Sequence, residues 1–346
     1  MIRWFMLLIL VFALATPVSA VEFTAPPAPD SVEDLMPAET ESFAEGLWEV
    51  IKASVSALQP EIASVGGTCL SLFAVVILIS VLRELPGKMI QVVELAGGLA
   101  VAVLLISGTN SLIKLSAETV TELSDYGKLL LPVMSAALAA QGGVSASTTL
   151  YAGTVLFSAL LSSVISKLLI PIIYLYLALS VACSTMEGES LKKLRDFLKW
   201  LPTWSLKTML YVFTGYMGIT GVVSGATDAA ALKATKLTIS GMIPVVGGIL
   251  SDTSEAVLVG VNLMKNAVGV YGLLAILAIW ISPFIKIGVH YLMLKATGIL
   301  CGVFGVKRVS DLIQSISGAM ALLLGMTASV CVMLMISTIC MMRGIG

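Results

Sequence analysis

Charged residues are scarce in this chain of 346 residues. Asp, Glu, Lys and Arg together make up only 12%, whereas soluble domains carry about 25%. Hydrophobic residues make up 58%, and the mean hydropathy is +1.02. No single soluble core buries this much apolar surface, so the sequence predicts a protein embedded in lipid. The net charge of −1 provides no basic field to attract nucleic acid, and no nucleic-acid partner is expected.

Motifs for metal binding and catalysis are also missing. The five cysteines form no C-x-x-C pair, and His290 is the only histidine, so neither a metal site nor a cofactor is expected. There is no G-x-S-x-G elbow, no H-E-x-x-H pair and no Walker A loop. Asp228 and Asp252 lack the context expected of an intramembrane aspartyl protease. The sequence therefore predicts a protein that is not an enzyme.

The first 64 residues have the composition of an exported segment. Residues 1–20 combine Arg3, an apolar run and a small-residue end, which is the pattern of a signal peptide; an uncleaved first helix is the alternative. Residues 21–64 are acidic and include a proline-rich linker. Apolar residues recur at helical spacing from about residue 39 to 58, which predicts an amphipathic helix on the outer membrane surface or against the bundle.

The remainder of the chain consists of apolar segments separated by short polar stretches. Because lipid offers no hydrogen-bond partner to the backbone, these segments predict an all-α polytopic fold with about eight to ten membrane segments. Segments 129–142 and 237–250 are shorter than the roughly 20 residues that a crossing needs, and we interpret them as half-helices or re-entrant turns. The predicted organisation has a first membrane block (65–184), a second membrane block (185–289), and a cytoplasmic loop with a C-terminal membrane helix (290–346).

Lysine and arginine determine the expected orientation in the membrane. They concentrate in three stretches, 83–88, 185–207 and 290–316, which we assign to the cytoplasm. Four candidate segments separate the first stretch from the second, and four separate the second from the third. An even number of crossings between the stretches is consistent with placing all three on one side.

The two membrane blocks share a pattern of prolines, which predicts two parallel internal repeats. Three pairs of short segments resemble each other in the same order: Leu82–Pro86 and Leu198–Pro202, Leu131–Val133 and Ile243–Val245, Ile170–Ile172 and Ser282–Phe284. Transporters often contain such repeats, with broken helices at corresponding positions near the substrate path. The breaks are expected at Pro132 and Pro244. Coincidence in a low-complexity apolar chain is the alternative.

The stretch from Ser240 to Asp252 is the strongest candidate for a functional site. Pro244 removes a backbone donor and the glycines after it permit a tight turn, so an interrupted helix with free backbone groups is expected inside the membrane. Polar residues that follow at helical spacing point into a bundle or a watery cavity. The residues predicted to shape a polar path or gate are Pro132, Pro244, Gly247, Gly248, Asp252, Glu255, Asn262 and Lys265. Ordinary interhelical packing is the competing interpretation.

Several other charged groups lie in or beside apolar segments. Glu94 stands in segment 89–108, and Lys286 and His290 share a helix face because they are four residues apart. We interpret His290 as a histidine of the membrane interface. The basic helix of residues 189–200 either binds anionic lipid head groups or is an ordinary cytoplasmic connector.

The residues from Ser240 to Glu255 resemble the signature stretch of the stage III sporulation protein AE family. The stretch reads SGMIPVVGGILSDTSE and continues with AVL at 256–258 and KNAVG at 265–269. The layout of signal peptide, acidic exported segment and multi-span body is also similar to that family. The resemblance carries over no catalytic residue.

The resemblance implies a role in endospore formation. It implies a multi-pass protein of the mother-cell membrane around the forespore. There the family works with other membrane proteins of the same operon and a forespore membrane partner, in a transenvelope channel needed for forespore development. It implies a permease-like or channel subunit with no established substrate. The rival hypotheses are a non-conducting membrane scaffold that anchors partner proteins and a stand-alone secondary transporter, with Glu94, Asp252 or Glu255 as its coupling carboxylate.

Overall fold

The described part of the chain is built from helices, as the apolar segments predict. The computed structural model describes residues 24–37, 43–57, 59–82, 89–185, 188–242 and 247–343, without the side chains of 59–64, 89–91, 221–265 and 343. The α-helices are α1 (Phe43–Ala57), α2 (Gln59–Leu82), α3 (Met89–Ala140), α4 (Val144–Val164), α5 (Ile170–Thr185), α6 (Glu189–Met242), α7 (Gly247–Val303) and α8 (Lys307–Arg343). No strand occurs in these ranges, so the all-α prediction is confirmed.

Five helices of the described residues are long and apolar enough to cross a membrane. They are Val65–Leu82, Val92–Ala140, Val144–Thr185, Asn266–Val303 and Lys307–Met342. This confirms the polytopic membrane class. The helices are fewer and longer than the predicted eight to ten segments, because neighbouring segments join into single helices instead of being separated by loops.

Helix α3 shows how two predicted segments join. Segments 89–108 and 129–142 fall largely within this one helix of 52 residues, which is about 78 Å long at 1.5 Å per residue. The polar stretch 114–128 between them stays helical, since its Lys, Glu and Leu residues are good helix formers. The predicted break at Pro132 is wrong: the helix continues through this residue, whose side chain is exposed.

A glycine turn reverses the chain after α3. Gly142 has φ 92°, the left-handed region that a residue without Cβ adopts at no steric cost. The amides of Gly142 and Gly143 donate to the carbonyls of Ala139 and Leu138, at 2.9 and 3.1 Å, and so satisfy the last carbonyls of α3. Helix α4 therefore returns antiparallel along α3.

Helices α4 and α5 form one continuous helical rod with a π turn in its middle. The π turn covers Ile165–Leu169, directly before Pro171. Proline has no N–H for the carbonyl four residues earlier, and a wider turn is a common way to fit such a position. Pro171 therefore lies within a helical rod and does not separate two segments.

Helices α7 and α8 form the centre of the bundle. In their most apolar 18-residue windows, 56% and 61% of the residues are buried, compared with 28% in α2 and α3. Their antiparallel register is set by small residues: a Cβ on Gly298 of α7 would meet Gln314 of α8 at 2.9 Å. In lipid, the hydrophobic effect does not drive helices together. Close packing through small residues is therefore a principal contribution to their association.

The end of α2, the start of α3 and the start of α8 lie close together. Glu94 near the start of α3 pairs with Arg308 at the start of α8, and Ser80 near the end of α2 donates to the carbonyl of Phe304, at 3.5 Å. The acidic N-terminal segment contacts α3 far from this end, where Ser31 hydrogen-bonds Glu122. Glu94 and Glu122 are 28 residues apart, about 42 Å along the helix. The acidic segment and the start of α3 therefore lie far apart along this helix, and the orientation in the membrane stays a prediction.

The internal repeat stays a prediction. Its second copy depends on residues 243–245, which lie outside the described residues, and on the side chains of 221–265. Leu198–Pro202 lies inside α6 and Pro283 inside α7, so neither proline marks a helix end.

Candidate functional site

Most residues of the predicted path or gate have no described side chain, and Pro244 lies outside the described residues. Pro244 belongs to 243–246, the residues between the end of α6 at Met242 and the start of α7 at Gly247. The first turns of α7 contain the other predicted residues, whose side chains are likewise not described: Gly247, Gly248, Asp252, Glu255, Asn262 and Lys265. Their proposed role stays a prediction. Pro132 is the one member with a described environment.

Pro132 provides a direct test of the half-helix interpretation. Because it lies exposed inside a continuous helix, replacing it with alanine restores the missing backbone hydrogen bond. We expect Pro132→Ala to stabilise the protein by up to about 3 kcal/mol, the cost of proline relative to alanine inside a helix. Thermal unfolding in detergent measures the effect. An unfolding temperature lower than that of the wild type would show that this proline supports a structure other than a continuous helix.

The charged groups of the first membrane segments are paired at the basic end of the bundle. Arg308 Nε lies 3.3 Å from Glu94 Oε2, with the two side chains 26% and 14% exposed. A carboxylate in a membrane segment needs such a partner because burial of an isolated charge is costly. The sequence contains this signal, since Glu94 is the only acidic residue of segment 89–108, although its partner could not be identified from spacing. This pairing gives Glu94 a structural role and weakens its candidacy as a coupling carboxylate.

Lys286 and His290 lie on one face of α7, as their spacing predicts. His290 Nδ1 is 2.9 Å from the carbonyl oxygen of Lys286, a hydrogen bond in which the ring nitrogen donates. The bond ties the histidine to its own helix backbone. This contact does not support a role for His290 in relaying protons.

Hydroxyl groups are numerous in the bundle, but they do not line a passage in the part of the chain that the structure describes. Buried hydroxyls donate mainly to carbonyls of the preceding turn, for example Thr338 to Leu334 at 2.9 Å. Other bonds cross between helices: Thr154 Oγ1 of α4 donates to Ser337 Oγ of α8 at 3.0 Å, and Ser310 of α8 donates to the carbonyl of Gly298 of α7 at 2.7 Å. Serine and threonine therefore serve here in packing and helix contact.

The exported segment covers part of α3. A cavity of about 690 Å³ lies between Pro27–Asp30 and residues 117–129 of α3. Near it, the amide of Ala28 donates to Tyr271 Oη of α7 at 3.4 Å. The acidic residues on both sides of this cavity indicate a surface in contact with water, at the end of the bundle opposite the basic stretches.

A helical membrane bundle is common to many proteins, so family membership rests on the sequence. The profile of the stage III sporulation protein AE family matches residues 31–346. The chain belongs to the stage III sporulation protein AE family. The match spans most of the acidic N-terminal segment, the bundle and the 240–269 stretch, which confirms the resemblance drawn from that stretch.

A curated member of the stage III sporulation protein AE family is similar to this chain. Stage III sporulation protein AE of Bacillus subtilis (strain 168) is 27% identical over 252 residues, which cover 71% of this chain and 62% of the relative. The match thus spans less than two thirds of the relative's length. No solved structure matches the chain.

Proposed function

We propose that the protein is a membrane-embedded, permease-like or channel subunit of a transenvelope complex between the mother cell and the forespore. Family membership over residues 31–346 is the observation that carries this proposal. The protein would reside in the mother-cell membrane around the forespore and contact other membrane proteins of the same operon and a forespore membrane partner. It would act by forming a route for solutes, without catalysis.

The route is assigned to the segment from 240 to 266, and the core of the bundle is not its site. In the described residues, the interior of α7 and α8 is filled by apolar side chains, and the buried hydroxyls bond to backbone. Pro244 lies between α6 and α7, and Gly247 and Gly248 begin α7. A proline and glycines at this point would free backbone groups for a polar lining. Asp252 and Glu255 follow within two turns.

A non-conducting scaffold is the second candidate function. It is favoured by the same filled core, because a protein that only anchors partners needs no polar lining. A large exposed apolar surface, including Trp200, Trp204 and Tyr211 of α6, offers contact area for lipid or other membrane proteins. A stand-alone secondary transporter has no specific observation in its favour among the described residues.

Substitution of Glu255 tests the channel proposal against the scaffold. Glu255→Gln keeps the size of the side chain and removes its charge, so a charge-dependent route should lose most of its function. We expect heat-resistant spores to fall by at least about tenfold, with normal amounts of protein in the membrane. Lys193→Gln, an exposed neutral substitution elsewhere, is the control. Wild-type sporulation in both Glu255→Gln and Asp252→Asn would leave the scaffold as the better account.

A further inference from the structure

A cavity of about 530 Å³ opens at the basic end of the bundle, where α5 ends and α6 and α8 begin. It is lined by serine hydroxyls and by six charged side chains: Glu189, Lys192, Arg195, Lys307, Arg308 and Asp311. Basic groups outnumber acidic ones in this lining by four to two. The cavity therefore favours an anionic ligand, and it is assembled from residues more than 100 positions apart in the chain.

Two of the four basic groups are available to a ligand. Arg308 pairs with Glu94, and Arg195 donates to Asp196 at 3.0 Å and to Ser315 Oγ at 3.4 Å. Within the described ranges, Lys192 and Lys307 have no carboxylate partner. Both are exposed at the mouth of the cavity. Two free ammonium groups at one cavity are a strong electrostatic attraction for a phosphate.

The serines of the cavity do not donate hydrogen bonds to a bound phosphate. Ser180 and Ser184 of α5 donate their hydroxyl hydrogens to the carbonyls of Tyr176 and Val181, each at 2.7 Å. Their hydrogens are therefore not free for a ligand. Recognition of an anion in this cavity depends on charge, and primarily on the two lysines.

A second cavity, of about 440 Å³ and mainly apolar, is lined by residues of α3, α5 and α8. On α5, Ser180 and Ser184 line the charged cavity and Val181 the apolar one; on α8, the corresponding residues are Leu312 and Ile316. The apolar cavity extends along α3 and α5 to Tyr174, whose hydroxyl donates to Asn110 Oδ1 at 2.8 Å. The two cavities are thus lined by neighbouring residues of α5 and of α8.

The combined dimensions suit one leaflet of a bilayer. Ser184 and Tyr174 are ten residues apart on α5, or about 15 Å along the axis. That is about half of the ~30 Å hydrocarbon thickness of a bilayer. A charged recess and an apolar groove that together span about one leaflet match a molecule with an anionic head and an acyl chain.

We propose that the two cavities form a binding site for an anionic phospholipid. The phosphate lies between Lys192 and Lys307, and one acyl chain lies in the groove between α3 and α5. Basic stretches face the cytoplasm, and the cytoplasmic leaflet contains the anionic lipids that attract such lysines. The site joins α3, α5, α6 and α8, so a bound lipid would stabilise the basic end of the bundle. This inference does not depend on whether the protein conducts.

The head-group half of the site is tested by lysine substitutions in the purified full-length protein. Binding of phosphatidylglycerol and of phosphatidylcholine with the same acyl chains is measured by native mass spectrometry from a neutral detergent. We expect a clear preference for phosphatidylglycerol. A lysine near a lipid phosphate contributes roughly 1 kcal/mol, so Lys192→Gln and Lys307→Gln should each weaken binding about fivefold, and together about 25-fold.

Lys193→Gln is the matched control, because Lys193 is exposed on the same helix and does not line the cavity. It should change phosphatidylglycerol binding by less than about twofold. Equal losses in Lys192→Gln and Lys193→Gln, or no preference for phosphatidylglycerol, would overturn the proposal, since only a diffuse surface charge would then be acting.

The apolar half is tested by filling the groove and by removing the chains from the ligand. Ala178 is exposed in the wall of the groove, so Ala178→Trp occupies it while leaving the bundle core unchanged. We expect this variant to bind phosphatidylglycerol at least tenfold more weakly, and inorganic phosphate to compete poorly in the wild type. If Ala178→Trp binds normally and inorganic phosphate displaces the lipid, the site holds a soluble phosphate and the lipid proposal fails.

Discussion

Arg308→Gln is expected to destabilise the protein by roughly 3 kcal/mol, the low end of the cost of breaking a buried ion pair. The reason is the environment of Glu94, whose carboxylate is only 14% exposed and would lose the partner 3.3 Å away. The loss should lower the midpoint of thermal unfolding by about 5 °C. Reaction of a thiol-specific dye with the buried Cys301 and Cys331 reports unfolding, because both thiols become accessible only when the bundle opens.

Two further variants distinguish the effect of burial on stability from the effect of ion pairing alone. Lys128 and Asp125 form a shorter pair, at 2.7 Å, but their side chains are 71% and 61% exposed. Lys128→Gln should therefore cost less than about 0.5 kcal/mol. Removing both members, in Glu94→Gln with Arg308→Gln, should restore part of the stability, since no unpaired carboxylate remains. If Arg308→Gln unfolds at the wild-type temperature, Glu94 does not depend on this partner.

Gly153→Ala is expected to cost roughly 2 kcal/mol through overpacking between α4 and α6. A Cβ at this position would overlap the ring of Tyr216, whose Cζ lies 2.7 Å from the added atom. The ring cannot move freely, because Tyr216 Oη donates to the carbonyl of Thr149 at 3.1 Å and the ring packs 5.7 Å from that of Phe157. The same thiol assay measures the lower unfolding temperature.

The matched control lies beside this tyrosine. A Cβ on Gly215 would meet nothing within 4 Å, so Gly215→Ala should be neutral or stabilise α6 by up to about 1 kcal/mol through its helix propensity. In a Tyr216→Ala background, Gly153→Ala should lose most of its effect, since the ring is gone. An equal cost with and without the ring would show that the overlap is not the cause.

The sequence predicted the helical membrane class correctly because that class follows from composition. It failed to predict how the segments join. The stretch 114–128 contains charged residues that indicate a loop, yet its side chains also favour a helix, so α3 continues through it. Pro132 was expected to break a span, but an exposed helix position accommodates it, as a π turn accommodates Pro171. Such local solutions depend on neighbours that periodicity alone does not identify.

The charged cavity likewise could not be predicted from the sequence. Lys192 and Lys307 were recognised as members of two basic stretches, but nothing in their spacing indicated that α6 and α8 begin side by side. Glu94 and Arg308 are separated by 214 positions, and their pairing depends on the register between α3 and α8. The family signature at 240–269, in contrast, is local in sequence, which is why it was recognised directly.

Thiol accessibility along residues 240–266 is the most direct test of the proposed conducting role. Single cysteines are placed through this segment in a cysteine-free protein that still supports sporulation, and each is exposed to a membrane-impermeant thiol reagent. The account predicts labelling at a helical period and a block in sporulation after labelling, because the segment lines a water-filled route. Uniform protection, together with normal sporulation after replacement of Asp252 and Glu255, would contradict it and leave a membrane scaffold.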